Sequence, residues 1–176
     1  MAMLKLLIVK TSSMGDVIHN LPILNDIHMH YPDAQIDWVV EENFVDILKL
    51  HPQINTIIPV AFRRWRKNPF SSQINQEFKS FLAQLKNHEY DYIIDTQTLL
   101  KSAFIACLAS GKRYGQGPKT AREWLAGFFY NHRFSVSREQ HAVDQNRQLT
   151  ALALDYKIPT SAPDYGLDRR ALASEV

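Results

Sequence analysis

The spacing of apolar positions along this chain switches repeatedly between a pattern typical of strands and one typical of helices. Residues 4–9 form a short, continuous run rich in Leu, Ile and Val, which is typical of a strand buried on both faces of a sheet. Val17, Leu21 and Leu24 then recur at helical spacing. Because strand and helix patterns keep alternating, we predict an α/β fold: a Rossmann-like parallel sheet with helices on both faces.

The same pattern gives approximate bounds for the elements. Strands are predicted at residues 4–9, 35–40, 56–60 and 90–95, with shorter ones at 113–114 and 134–136. Helices are predicted at residues 17–27, 44–50, 74–85, 99–109 (stopped by Gly111), 121–130 and 141–156. Beyond residue 157, prolines and a glycine interrupt the periodicity, which favours a linker. We therefore expect a domain over residues 1–157, followed by the start of a linker in residues 158–176.

The loops that follow the strands are the expected ligand-binding segments. In open parallel sheets, ligands bind beyond the carboxyl ends of the strands. These loops are residues 11–16, 41–43, 61–71, 96–98 and 115–120.

Composition narrows the class of protein. The 176 residues suit one domain, and every apolar run is too short for a membrane span or a signal peptide, so we expect a cytoplasmic protein. The single cysteine, Cys107, lies in an apolar run and is interpreted as core packing. The net charge is only +2, but residues 63–122 hold 11 Lys and Arg against 4 Asp and Glu, which indicates a surface for an anionic partner.

The loop at residues 11–16 combines small polar residues with Gly15 and Asp16. Gly15 would allow a close approach of the backbone to a ligand, and the amides at a helix start bind anions. From spacing alone, Asp16 suits a capping acid in the first turn better than a catalytic base. The loop matches neither a dinucleotide fingerprint nor a Walker A loop.

Cations follow the third and fourth predicted strands. Arg63, Arg64, Arg66 and Lys67 form either a solvated basic loop or a site for phosphate or carboxylate, which the forked donors of arginine suit. Lys101 lies in the first turn of a helix, where its charge opposes the helix dipole, so a ligand-binding and a solvated lysine remain equally open.

The region after residue 118 adds further candidates. Lys119 and Arg122 fall at another helix start. The aromatic residues that follow are interpreted as core rather than as a membrane-facing patch: Trp124, Phe128, Phe129 and Tyr130. Histidines give no metal-site pattern, since His28 and His30 are two apart on a helix and point to different faces.

Several of these stretches, in this order, resemble the lipopolysaccharide heptosyltransferases of glycosyltransferase family 9. The matching segments are residues 7–17 (LIVKTSSMGDV), 37–42 (DWVVEE), 58–60 with 63–67 (IPV, RRWRK), 100–103 (LKSA), 120–123 (TARE) and 140–143 (QHAV). The resemblance implies the N-terminal half of a GT-B glycosyltransferase, in which two Rossmann-like domains face each other across a cleft. This half would bind the acceptor, and a C-terminal half would bind the nucleotide-sugar.

The resemblance also implies a reaction. Heptose (L-glycero-D-manno-heptose) would pass with inversion from ADP-heptose to a Kdo sugar of Kdo-lipid A at the inner membrane, without a metal or other cofactor and without nucleic acid. Asp16 would be the catalytic base. The acceptor would contact the following residues: Ser12, Ser13, Gly15, Arg63, Arg64, Arg66, Lys67, Gln97, Lys101, Arg122 and His141.

One departure and two alternatives remain. The family usually has glycine after Gln97, whereas this chain has Thr98, whose β-branch restricts the backbone. Residues 63–67 favour the enzyme that adds the first heptose over the family member that adds the next one. A non-catalytic anion-binding module from a truncated gene is the alternative from another class.

Overall fold

A parallel six-stranded sheet organises residues 3–167, the part of the chain that the computed structural model describes. The strand order is β3-β2-β1-β4-β5-β6, and every neighbouring pair is parallel. Because the order reverses between β1 and β4, the carboxyl ends of these two strands flank the expected ligand site. The strands are β1 Lys5–Val9, β2 Gln35–Glu41, β3 Thr56–Val60, β4 Glu89–Asp95, β5 Ser110–Gln116 and β6 His132–Phe134.

Helices cover both faces of the sheet. Along β1, Leu6 and Ile8 enter one hydrophobic core while Leu7 and Val9 enter the other, as the two-residue period of a strand requires. Helices α1, α2, α3 and α7 pack on the first face, and α4, α5 and α6 on the second. The helices are α1 Met14–Ile18, α2 Pro22–His30, α3 Val45–Lys49, α4 Phe62–Trp65, α5 Ser72–Leu85, α6 Leu100–Leu108 and α7 Ala142–Leu154, with 3-10 helices at Glu42–Phe44 and Trp124–Phe128.

The helix predicted at residues 17–27 is two helices. Pro22 begins α2 at a first-turn position, where its missing N–H is not needed, and the chain turns between Ile18 and Pro22. α1 begins at Met14, directly after the loop that follows β1, so its N-terminus lies close to the carboxyl edge of the sheet. Asp16 lies there, in the first turn of α1.

β5 is longer than the pattern predicted. Gly111 was expected to stop a helix, but it lies inside β5 at a φ of +148°, where the pairing with β4 is irregular. A Cβ at Gly111 would lie 2.2 Å from the carbonyl oxygen of Tyr90, so glycine is required by this close approach. The sixth strand also lies two residues earlier than predicted, at His132–Phe134.

Two predictions of core packing were wrong. Cys107 is exposed, and so are Trp124, Phe128 and Phe129; of the four aromatic residues interpreted as core, only Tyr130 is buried. The predicted helix at residues 121–130 is a 3-10 helix over Trp124–Phe128, which is too short to turn all its aromatic side chains inward.

The segment after α7 has neither helix nor strand up to residue 167, as the loss of periodicity predicted, and it is anchored to the domain. Arg147, buried in α7, forms an ion pair with Asp26 at 2.7 Å and donates to the carbonyl oxygen of Ser161 at 2.8 Å. Asn25 donates to the carbonyl oxygen of Asp164. The rest of the predicted linker, residues 168–176, lies outside the described residues. Within residues 3–167, each helix is too short or too polar to cross a membrane.

Candidate functional site

A polar cavity of about 300 Å³ opens at the carboxyl edge of the sheet, where the loops after β1, β4 and β5 meet the start of α7. We name it the Asp16 cavity. Its position at the reversal of strand order is the one expected for a ligand site. Its walls are formed by Lys10, Asp16, Thr96, Gln97, Thr98, Gln116, Thr120, Arg122, Arg138, Ala142, Gln145 and Asn146.

Asp16 both caps its helix and lines this cavity. Its Oδ2 accepts hydrogen bonds of 3.1 Å from the backbone N–H and the hydroxyl of Ser13. Nη1 of Arg122 lies 3.4 Å from the same oxygen. About a quarter of the Asp16 side chain remains exposed, so a ligand in the cavity can reach it. The capping and catalytic interpretations are therefore compatible.

The electrostatic environment favours the carboxylate form of Asp16. Partial burial alone would raise its pKa, but the hydrogen bond from the Ser13 N–H and the charges of Lys10 and Arg122 outweigh burial and lower the pKa below the ordinary value. An ionised carboxylate can accept a proton, and this one is a weak base. It suits a reaction in which the hydroxyl becomes acidic as its oxygen forms a new bond.

Lys10 is a component of the cavity that sequence reasoning did not identify. It is only 5% exposed, and its Nζ donates to the carbonyl oxygen of Thr96 at 3.1 Å. Burial lowers its pKa to about 8, although Asp16 and Asp95 attract its charge. Its position could have identified Lys10 as a site residue, because it directly follows a buried strand at the ligand-binding edge.

Gln97 joins the first loop to the fourth. Its Oε1 accepts from the backbone N–H and the hydroxyl of Thr11 at 2.7 and 2.8 Å, and its Nε2 lies 3.5 Å from Oγ of Ser12. The amide oxygen is thus already engaged. Gln97 holds residues 11–16 against β4, and its predicted contact with an acceptor stays a prediction.

Thr98 keeps the conformation that glycine would favour. Its φ is +53°, in the left-handed region, which is costly for a β-branched residue. Its N–H donates to Oδ1 of Asp95, its hydroxyl accepts from the N–H of Arg122, and its carbonyl accepts from the N–H of Glu123. These bonds offset the strain, and they place Arg122 beside Asp16.

Asp95, the last residue of β4, holds the loop that follows this strand through hydrogen bonds. It is fully buried; its Oδ1 accepts from the N–H groups of Gln97 and Thr98, and its Oδ2 accepts from the hydroxyl of Tyr130 at 2.7 Å. Burial raises the pKa of Asp95, while the hydrogen bonds to its carboxylate oppose that rise. Asp95 and Tyr130 therefore shape the site without facing the cavity.

A second cavity of about 600 Å³, which we name the Arg63 cavity, lies between the end of β2, α4, α5 and the start of α6. Arg63, Arg66 and Lys101 line it together with Glu41, and its apolar wall includes Phe62, Trp65, Pro69, Ile74 and Phe78. Nζ of Lys101 donates to Oγ of Ser12 at 2.8 Å, which ties this cavity to the loop that carries Asp16. Burial lowers the pKa of Lys101 and raises that of Glu41.

The basic segment at residues 63–67 does not act as one surface. It was expected as a loop, but α4 turns its neighbouring side chains in different directions. Arg64 lies between two carboxylates, Glu42 at 2.9 Å and Glu77 at 2.7 Å, and lines neither cavity. Lys67 is exposed and lines neither cavity. Of the four cations in this segment, Arg63 and Arg66 line the Arg63 cavity, and the predicted acceptor contacts of all four stay predictions.

Two further predicted residues have local roles. An added Cβ at Gly15 would meet no described atom within 4 Å, so no contact inside the domain requires glycine there. His141 is the N-cap of α7, where its Nδ1 accepts from the N–H of Val143, and it lines neither cavity. Among residues 3–167, no group of three His, Cys, Asp or Glu side chains could hold a metal ion.

Comparison with known proteins gives consistent matches. The family model of glycosyltransferase family 9 (heptosyltransferase) matches residues 78–176. Lipopolysaccharide heptosyltransferase 1 of Pseudomonas aeruginosa is 49% identical over 172 residues, which are 97% of this chain and 48% of that protein. The chain thus spans about half the length of this relative.

Solved structures agree with this match. The E. coli heptosyltransferase WaaC with ADP superposes with a TM-score of 0.90 at 46% identity, covering 93% of this chain and 51% of that one. E. coli heptosyltransferase II gives a TM-score of 0.69 at 19% identity, with 97% and 49% covered, and indicates the fold alone. The predicted fold class, a Rossmann-like half of the GT-B kind, is confirmed.

Proposed function

Because the chain belongs to glycosyltransferase family 9, the heptosyltransferases, we propose that it is the acceptor-binding half of an enzyme of lipopolysaccharide inner-core synthesis. The enzyme transfers L-glycero-D-manno-heptose from ADP-heptose to the Kdo sugar of Kdo-lipid A, with inversion. In this proposal residues 1–157 bind the acceptor, and residues 158–176 begin a linker to a half that binds the nucleotide-sugar.

The observation that carries the proposal is the ionised Asp16 at the edge of a cation-lined cavity. A Kdo hydroxyl attacks the anomeric carbon of the heptose while Asp16 accepts the hydroxyl proton. Because the pKa of Asp16 is lowered, proton transfer accompanies the attack rather than preceding it. A single displacement of this kind inverts the anomeric centre, and the leaving diphosphate is stabilised by the other half.

The cations of the two cavities suit the acceptor. Kdo carries a carboxylate and lipid A carries phosphates, and both anions form charge-assisted hydrogen bonds with arginine and lysine. Lys10, Arg122 and Arg138 surround the Asp16 cavity. Arg63 and Lys101 line the Arg63 cavity, so an acceptor that spans both cavities meets cations at each end.

Identity favours the enzyme that adds the first heptose. The chain is 49% identical to a heptosyltransferase 1, against 19% for the structure of a heptosyltransferase II. The solved relative with ADP supports ADP-heptose as the donor. Because the acceptor is a membrane lipid, the proposal places the protein at the cytoplasmic face of the inner membrane.

Titration calorimetry of the chain with two ligands tests this assignment. We expect deacylated Kdo-lipid A to bind, with an affinity that falls as salt is added, because screening weakens contacts between exposed charges. ADP-heptose should give no measurable heat, since its site lies in the other half. Micromolar binding of ADP-heptose by this chain would overturn the assignment of the nucleotide-sugar site to the other half. Equal binding of a deacylated lipid A that lacks Kdo would overturn the acceptor assignment.

A further inference from the structure

An exposed apolar surface covers one flank of the domain, outside both cavities. Leu100 and Phe104 on α6 are 40% and 50% exposed, and the neighbouring 3-10 helix contributes four more side chains, each between 42% and 60% exposed. We name this surface the aromatic flank. The contributors from the 3-10 helix and its end are Trp124, Leu125, Phe128 and Phe129.

The two elements of the aromatic flank are firmly joined. Ala103, Ala126 and Tyr130 pack into a small core between α6 and the 3-10 helix, and the carboxylate of Glu123 accepts from the N–H of Leu100 at 2.6 Å. Leu100 and Phe104 are four residues apart, so they share one helix face. The flank is therefore formed by two elements that are packed and hydrogen-bonded to each other.

Cations border the aromatic flank. The guanidinium of Arg133 lies 5.8 Å from the centre of the Phe128 ring and donates to the Phe128 carbonyl oxygen. Arg113 donates to the carbonyl oxygen of Phe129 at 2.8 Å. Within residues 3–167, neither guanidinium forms an ion pair, so each keeps donors for an external anion.

We propose that the aromatic flank docks onto the surface of an anionic phospholipid bilayer. Trp and Phe side chains favour the membrane–water interface, while arginines at the same depth meet lipid phosphates. The inference deepens the proposed function, and rests on it only in naming the bilayer as the place where the acceptor is found. Arg122 lies two residues before Trp124 and reaches Asp16, so docking brings the Asp16 cavity close to the lipid surface.

Charge and position favour a bilayer over a protein occupant. In a symmetric dimer through this flank, the arginines of one copy would approach those of the other, which is unfavourable. The second half of a GT-B enzyme faces the carboxyl edge of the sheet. The six side chains of the aromatic flank line neither the Asp16 cavity nor the Arg63 cavity.

The three tryptophans provide a direct readout. Trp38 is fully buried and Trp65 is 8% exposed, whereas Trp124 is 60% exposed. Adding phosphatidylglycerol vesicles to the chain should shift its tryptophan fluorescence to shorter wavelength, because Trp124 leaves water. Trp124→Phe should remove this shift while vesicle sedimentation still pulls down the protein. Phosphatidylcholine vesicles should bind more weakly.

Matched variants identify the surface. The double variant Phe128→Ser with Phe129→Ser should lower partitioning onto phosphatidylglycerol vesicles about tenfold or more, and Arg133→Gln should reduce the preference for anionic lipid. Met29→Ser is the control, since Met29 is 76% exposed on α2, on the opposite face of the sheet. Met29→Ser should melt like the wild type, and the double variant should stay folded with a modestly lower melting temperature, because about half of each phenylalanine is buried.

Three results would overturn the proposal: vesicle binding by the double variant at the wild-type level, a loss of binding in Met29→Ser equal to that of the double variant, or a chain that ignores vesicles and forms a dimer dissolved by the same substitutions. Deacylated Kdo-lipid A separates this inference from the proposed function. Both the wild type and the double variant should bind it equally. If neither binds it while vesicles still bind through the flank, the proposed function fails and the docking surface stands.

Discussion

Nη1 of Arg122 lies 3.4 Å from Oδ2 of Asp16, although the two residues are 106 positions apart in the chain. The contact joins the loop after β1 to the loop after β5 across the mouth of the Asp16 cavity. It supplies a positive charge at the carboxylate, and the Thr98 hydroxyl fixes the backbone that delivers it. The reactivity proposed for Asp16 therefore depends on a residue outside its own loop.

Asp16→Asn should abolish most turnover in an enzyme that joins this chain to a nucleotide-sugar half. Asparagine keeps the size and can still accept from Ser13, but it cannot take the hydroxyl proton. General base catalysis is worth about 10²–10⁴ in rate, so a fall of that order in kcat is expected with nearly unchanged acceptor affinity. Steady-state kinetics and calorimetry measure the two quantities.

The matched control for that substitution is Asp46→Asn, the same change in the first turn of another short helix, α3. It should leave kcat unaltered. A purely capping role for Asp16 predicts near-normal turnover for both variants, because asparagine caps a helix about as well as aspartate.

Arg122→Gln should move the acidic limb of the pH–rate profile to higher pH. Asp16 must be ionised to act, and its pKa is lowered in part by the charge of Arg122. Removing that charge raises the pKa, so activity is lost earlier as the pH falls. Arg138→Gln, a change in the same cavity, should leave the limb in place. An unmoved limb in Arg122→Gln would mean that another group sets the profile.

Lys10→Met should stabilise the domain while weakening acceptor binding. Burial lowers the pKa of Lys10 to about 8 from 10.5, so its charged form is disfavoured in the folded state. At neutral pH the substitution should raise the free energy of unfolding by about 1–3 kcal/mol. Chemical denaturation of both proteins measures this difference.

The pH dependence of that difference tests its cause. Below pH 8 the folded wild type carries the full cost of the buried charge. As the pH rises from 8 towards 10.5, the folded protein loses this proton before the unfolded chain does, so the advantage of Lys10→Met should shrink. Lys112→Met, at an exposed site, should show no such trend. A constant advantage across this range would point to packing instead of charge.

Substitutions of the arginines in α4 and directly after it should have different effects on acceptor affinity. Replacing Arg63 and Arg66 together by alanine should weaken binding of deacylated Kdo-lipid A about tenfold or more, because two charge-assisted contacts are lost. Arg64→Ala should affect binding much less, since its guanidinium is held by Glu42 and Glu77. Calorimetric titrations compare the variants. Equal losses in the two would show that Arg64 leaves its carboxylates to meet the acceptor.

Thr98 should tolerate glycine better than valine. Thr98→Gly removes the left-handed strain, worth roughly 1–2 kcal/mol, and loses one hydrogen bond, worth about 0.5–1.5 kcal/mol. Its unfolding free energy should stay within about 1 kcal/mol of the wild type. Thr98→Val keeps the strain and loses the bond, so it should be the less stable variant in urea denaturation. The reverse order would mean that the backbone relaxes around residue 98.

The sequence allowed prediction of the central strands, because strands covered on both faces must be continuously apolar, as β1 is. It underestimated β5, since residues 110–116 contain two glycines and two cations that the sheet accommodates near its edge. It placed Cys107 and Trp124 in the core because helical spacing identifies an apolar face without saying what covers it.

The sequence could predict which residues lie at the ligand-binding edge, because their position after a strand decides it. It could not predict which side chains pair with distant residues. Asp16 and Lys101 follow strands that end at one edge, so their convergence could be expected. The ion pairs of Arg64 with Glu42 and Glu77 join segments separated by 22 and 13 residues. Nothing in the local pattern distinguishes Arg64 from Arg63.

The pairing of β1 with β4 has a kinetic consequence. These central strands are neighbours in the sheet, and the bonds of Lys10 to Thr96 and of Thr11 to Gln97 each span 86 positions. Closing loops of this length costs more chain entropy than forming local contacts does, which slows folding. During synthesis, Asp16 and Lys10 emerge early, but Asp16 gains the charge of Arg122 only after residue 122 has left the ribosome. The site is thus complete only when residues 10, 16, 97 and 122 are all present, and a nascent chain that ends before residue 122 holds the Asp16 carboxylate without the guanidinium beside it.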